Sequence, residues 1–177
     1  MTRDAFQAHT DGTSSSRIDK NTIGAAIIRN NHKCKQILLL KGNAHEAYYP
    51  NVFKMPGGKV DKEYLSIRHA IMREVLEETN LMVADISSPF STIRYTAEKE
   101  GIDGSGNRLT IRRIAIQLSY VVAVEGDGVD FMVNKDEHSM GIWAERKDLD
   151  RIPITKDMKR AWPWRLSAAF AKWKMTS

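Results

Sequence analysis

A chain of 177 residues with 42% hydrophobic and 28% charged side chains can bury one real core, which excludes a fibrous or wholly disordered protein. No apolar run approaches the ~20 residues of a membrane span, and one cysteine, Cys34, excludes an intrachain disulfide and fits a reducing compartment. The net charge of +5 is modest and concentrates near the C-terminus, where KRAWPWRLSAAFAKWK carries basic residues and no acidic ones. That patch reads as a basic amphipathic helix docking Leu166, Phe170 and Trp173 on the body, or as an attractor of phosphates and nucleic acid.

Residues 1–20 are polar and without periodicity, as expected of a disordered tail, and they lack the apolar core of a secretory signal, so a cytoplasmic location is expected. Residues 21–177 then read as a single domain that includes the C-terminal helix. IGAAII and ILLL, separated by polar RNNHKCK, predict a strand-turn-strand unit. Tyr48 to Pro56 predicts an extended loop leading to Gly57-Gly58. From about Leu65 to Thr79 there is no Gly or Pro, and a helix is expected. Leu81 to Ile86 predicts a short strand, and STIRYTAEK and LTIRRIAIQLSYVVAV predict a hairpin turning at EGIDGSGN. A further strand at MGIWAE and a helical turn near Lys147 to Asp150 complete an α/β pattern: a mixed sheet with helices packed on it.

The predicted helix carries the informative anomaly. At 100° per residue, Ile67, Ala70, Ile71, Glu74, Glu77 and Glu78 share a sector of about 120°, apolar in its first half and acidic in its second. Met72, Val75 and Leu76 are apolar too, so the helix is expected to be wrapped by protein on more than one side. Three carboxylates at this spacing repel one another, and partial burial raises the cost. A hard divalent cation resolves that conflict, because Mg²⁺ or Mn²⁺ takes several carboxylate oxygens at once. Neutralisation by Arg68, Arg73 and surface lysines is the alternative. Arg73, four residues before Glu77, is placed to orient it. Upstream, Gly57-Gly58 allows a sharp turn that exposes backbone groups and could offer a carbonyl to the same cation.

MPGGKV followed by REVLEETNL, residues 73–81, resembles the Nudix box, G-x5-E-x7-R-E-U-x-E-E-x-G-U, where U is a bulky aliphatic residue. The resemblance extends more loosely over YYPNVFKMPGG and EHSMGIWAERKDL, covering roughly residues 21–150. It departs in two respects. Counted from Gly58, the arginine arrives one residue late, so Glu63 and Tyr64 compete for the first glutamate position. The closing glycine is Asn80, the residue that best replaces glycine in a left-handed helix cap.

The resemblance implies an α/β/α sandwich with a central acidic helix, and Mg²⁺-dependent (or Mn²⁺-dependent) hydrolysis of a pyrophosphate linkage. On that reading Gly58, Glu74, Glu77 and Glu78 hold metal. Glu77, Glu78, Arg73 and Glu137 form the catalytic set, with Asp136 and His138 as other sources of a base from the DEHSMG loop. Lys54, Lys59 and Phe53 are placed to meet substrate, and Phe6, Tyr48, Tyr49, Phe131 and Trp143 are further aromatics that either stack a base or pack the core. Implied substrates are phosphorylated small molecules: nucleotides, nucleotide sugars, dinucleoside polyphosphates or diphosphoinositol phosphates. Tryptophans among the C-terminal basic residues keep capped RNA open. A non-catalytic nucleotide- or RNA-binding module on the same fold is the rival expectation.

Overall fold

A computed structural model of the chain describes residues 18–31, 34–46, 49–60, 66–126 and 130–154. The expected C-terminal helix, Phe6, Tyr48, Glu63 and Tyr64 lie outside the described residues, as does the tail up to residue 17. Ile18 already belongs to the core at 5% exposure.

Strand β1 (Lys20–Asn31) organises the sheet. Its second half forms an antiparallel hairpin with β2 (Cys34–Gly42), in register from Ile28↔Ile37 to Asn31↔Cys34. Its first half pairs in parallel with β5 (Arg108–Val124), from Lys20↔Ala115 to Ile27↔Val122. β4 (Val83–Ile102) lies antiparallel to β5 at the edge. β3 (Phe53–Lys54) and β6 (His138–Glu145) both pair with β2. Leu40 and Lys41 pair with β3 and β6 alike, so these two strands occupy opposite edges of β2. The order β3-β2-β1-β5-β4 is therefore a mixed sheet with one parallel pair at its centre.

Two expectations are corrected by the strands and the helix. The segments at Leu81 to Ile86 and STIRYTAEK are one 20-residue strand, β4, that passes straight through Ser-Ser-Pro. Register shifts around Pro89 accommodate the proline, and an edge strand can spare the N–H that proline lacks. The helix is also not enclosed on several sides by the described residues: Met72 and Leu76 are 38% and 42% exposed.

Alternation splits the core between the two sheet faces. Ile23, Ala25 and Ile27 of β1, with Leu118, Tyr120 and Val122 of β5, pack beneath Ile67, Ala70, Ile71 and Val75 of the helix. Ala26, Ile37 and Leu39 face the other way with Phe53, Met55, Ala144 and Ile154.

Helix α1 (Ile67–Thr79) starts where the Ser66 hydroxyl accepts the His69 N–H at 3.1 Å, a standard N-cap. It stops at Asn80, whose φ of 57° is left-handed and whose N–H closes on the Leu76 carbonyl. Asn80→Gly is expected to hold stability within about 1 kcal/mol. Asn80→Val, which forces a β-branched residue into that conformation, should cost about 1–2 kcal/mol in urea denaturation.

Candidate active site

The glycine pair is fastened to β1. Ala25 N–H donates to the Pro56 carbonyl at 2.7 Å, Ile23 N–H to Gly58 at 2.9 Å, and Val60 N–H to Asn21 at 2.9 Å. Residues 56–60 thus run as a strip along the edge of β1 that β5 leaves open. Gly57 holds φ +145°, and a side chain there would collide with the Ile23 carbonyl. Gly58 has no room either, because a Cβ would stand 2.6–2.7 Å from the carboxylate of Glu74. Gly57 thus requires glycine through its φ and the backbone it meets, while a side chain at Gly58 would have to displace the Glu74 carboxylate.

Helix α1 presents its acids to that strip. Glu74 and Glu78 are 7% and 2% exposed. Gly57 N–H donates to Glu78 Oε2 at 2.7 Å. Arg73 divides its guanidinium between two carboxylates, giving Nη2 to Glu74 at 2.7 Å and Nη1 to both oxygens of Glu77 at 2.9 and 2.7 Å. Glu77, at the margin of the acidic sector, is exposed. Burial, followed by the charge of Glu78, pushes the Glu74 carboxyl up to about 7, and Arg73 only partly offsets this.

A loop from the far side of the chain completes the cluster. Met132 N–H donates to the Thr79 carbonyl at 2.9 Å and Asn134 N–H to the Glu78 carbonyl at 3.1 Å, which satisfies acceptors that a helix end leaves orphaned. His138 N–H in turn donates to the Asn134 carbonyl. This arrangement puts His138 Nε2 2.8 Å from Glu78 Oε1. Glu137 stays exposed and accepts from Asn134 Nδ2 at 3.3 Å. Glu78, Glu137 and His138 each offer a ligand atom, all within 4.8 Å of one another. Asp136 lies outside that group, its carbonyl taken by Asn43 Nδ2. Asn134 escaped the sequence reading because its main role is played by backbone groups.

The expected substrate residues are distributed differently. Phe53 is 7% exposed in the second core cluster, so its ring serves packing. Lys54 Nζ is 3.2 Å from Glu46 Oε1. Lys59 is exposed on the glycine strip, opposite Thr22 of β1. Phe131 meets Trp143 edge-to-face at 6.1 Å, and Arg29 covers the Trp143 ring at 4.3 Å. Tyr49 is 43% exposed.

The raised carboxyl of Glu74 has a consequence for stability. A carboxyl that titrates near 7 when folded and at 4.5 otherwise binds more protons in the folded state between those values. Its contribution to stability therefore falls as pH rises from about 4.5 to about 7. In chelator, the melting temperature of the wild type should carry this decline and that of Glu74→Gln should lack it. Identical pH profiles would remove Glu74 as its source.

The NUDIX domain model matches residues 20–165. No curated protein matches the chain. Among solved structures it is similar to the MutT protein from Methanosarcina mazei Go1, with 20% identity, 84% of this chain and 93% of that one covered, and a TM-score of 0.59. A C. elegans Ap4A hydrolase in a binary complex shares 20% identity over 87% of this chain and 99% of its own, with a TM-score of 0.56. The NUDIX domain of Shewanella oneidensis NrtR, complexed with ADP ribose, shares 14% identity over 96% of this chain and 99% of its own, with a TM-score of 0.53. These structural likenesses concern the fold, while the domain match spans the glycine strip, the acidic helix and the Glu137 loop together; on that match the chain belongs to the Nudix hydrolase family.

Proposed function

We propose that this chain hydrolyses the pyrophosphate linkage of a nucleoside diphosphate derivative with the help of a divalent cation, Mg²⁺ or Mn²⁺. The observation that carries the reading is the pair of buried carboxylates, Glu74 and Glu78, held against Gly57-Gly58 with Glu137 brought alongside. The donor set fits a hard cation: it is anionic, rich in oxygen and partly withdrawn from water, and Glu74 holds a proton up to about pH 7 when no cation is there to displace it. Glu74, Glu77 and Glu78 would hold the ion. The Gly58 carbonyl accepts one hydrogen bond from Ile23 and keeps a second lone pair for the same purpose.

Such an ion, when bound, polarises a phosphate and lowers the pKa of water on it. The chain's own residues do the rest. Arg73 binds Glu74 and Glu77 at once, which orients both carboxylates and keeps them from collapsing onto each other. Glu137, exposed at the rim, can take a proton from an attacking water and release it to solvent. Lys59, exposed on the glycine strip, is placed to meet phosphate oxygens.

Ap4A, named for the hydrolase from C. elegans, and ADP ribose, bound by the NUDIX domain of NrtR, are nucleotides with phosphoanhydride links, which supports the same substrate class here. The basic segment that kept capped RNA open lies outside the described residues, and no observation favours that substrate. No helix among the described residues is long and apolar enough to cross a membrane.

A panel of nucleoside diphosphate derivatives, dinucleoside polyphosphates and capped RNA, assayed with Mg²⁺ and with Mn²⁺, tests the proposal. Glu78→Gln should lower kcat by roughly 100-fold or more on every substrate the wild type cleaves. Turnover that survives the substitution would falsify the assignment of Glu78, and binding without turnover in the wild type would favour the non-catalytic module.

A further inference from the structure

We propose that His138 positions Glu78 by donating Nε2–H to Oε1, and that Nε2 neither binds the cation nor accepts the proton. This rests on the metal-platform reading above and adds a role that the box motif does not contain. The ring is fully buried and its Nε2 lies 2.8 Å from Glu78 Oε1. Its other nitrogen, Nδ1, is buried with no hydrogen-bond partner among the described residues.

That unpartnered Nδ1 decides between the roles. Binding a cation through Nε2 would move the ring proton to Nδ1, where a buried N–H would find no acceptor among the described residues. Metal-bound histidines almost always give that second N–H a carboxylate, carbonyl or water. Acting as a base through Nε2 would likewise require a bare lone pair there and a proton on Nδ1. With the proton on Nε2, only a lone pair is left unmet at Nδ1, and Glu78 gains a donor.

The geometry then grips one glutamate from two sides. Gly57 N–H holds Oε2 and His138 holds Oε1, so rotation of the carboxylate is blocked while each oxygen keeps a lone pair for a cation. The ring is itself registered to Glu78 through the backbone, because Asn134 N–H binds the Glu78 carbonyl and His138 N–H binds the Asn134 carbonyl. Glu137 travels with the same loop, so the hold on Glu78 also sets where Glu137 stands.

Two measurements on the full chain test this. Long-range ¹H–¹⁵N NMR of the wild type should find the His138 proton on Nε2 in chelator and still there with saturating Mg²⁺. A proton on Nδ1 in the Mg²⁺ form overturns the proposal. Mn²⁺ binding, followed by electron paramagnetic resonance, should weaken about 10- to 100-fold in His138→Leu. His138→Gln, which keeps an amide donor, should recover most of that loss, and excess Mn²⁺ should restore hydrolysis by His138→Leu. Unchanged Mn²⁺ affinity in the leucine variant, or a kcat that excess Mn²⁺ does not restore, sinks the positioning role alone. Failure of the wild type to bind Mn²⁺ at all overturns the platform and this role with it. Should the leucine variant not fold, the NMR result on the wild type decides the question.

Discussion

A carboxylate buried to 2% exposure has to be held, and the hold on Glu78 is what the surrounding structure is arranged to provide. Gly57 N–H can reach Oε2 only because residues 56–60 are hydrogen-bonded along β1, and that edge is open only because β1 gives its other half to β2. His138 can reach Oε1 only because the loop before β6 is hung from the carbonyls of Glu78 and Thr79. The mixed sheet, the glycine strip and the late loop therefore meet at one side chain. Each donor comes from a different part of the chain, so the site forms only when the sheet has closed.

The electrostatics follow from that convergence. Packing a second carboxylate, Glu74, against Gly58 places two like charges in a poorly solvated space, and the carboxyl of Glu74 is pushed up accordingly. Arg73 relieves part of the strain, but it also serves Glu77 and cannot neutralise the group alone. The uncompensated remainder is stabilising for a cation and destabilising for the empty site. Functional sites commonly keep such a conflict where a purely structural helix would have replaced a glutamate by leucine.

Much of this was legible in the residues. The helix, its acidic face and the sharp turn at the glycine pair follow from periodicity and residue type, and Asn80 takes the left-handed cap that its short amide side chain suggests. What was not legible depends on long-range pairing. The union of two predicted segments into β4 depends on its edge position, which excuses Pro89 and appears only once β5 is laid beside it. The burial of Phe53 follows from its placement among Met55, Leu39 and Ile154, residues scattered along the chain. The placement of Glu137 and His138 beside Glu78, with Asp136 outside that group, depends on loop backbone bonds that no side-chain pattern encodes.

The irregular spacing of the box is the remaining point of tension, and the anchors on either side of it resolve its consequence. Gly58 is fixed by Ile23 and Val60 by Asn21, while the helix begins at the cap on Ser66. An extra residue between Val60 and Ser66 would fall between two points that are each fixed independently. One added residue between anchored ends changes loop-closure entropy very little. It need not alter the phase of the helix, which is set by the Ser66 cap and by Ile67, Ala70, Ile71 and Val75 on the sheet. That phase is what brings Glu74 to Gly58 and Glu78 to Gly57. The count from glycine to arginine can therefore drift by a residue while the contact between the glycines and the glutamates is kept.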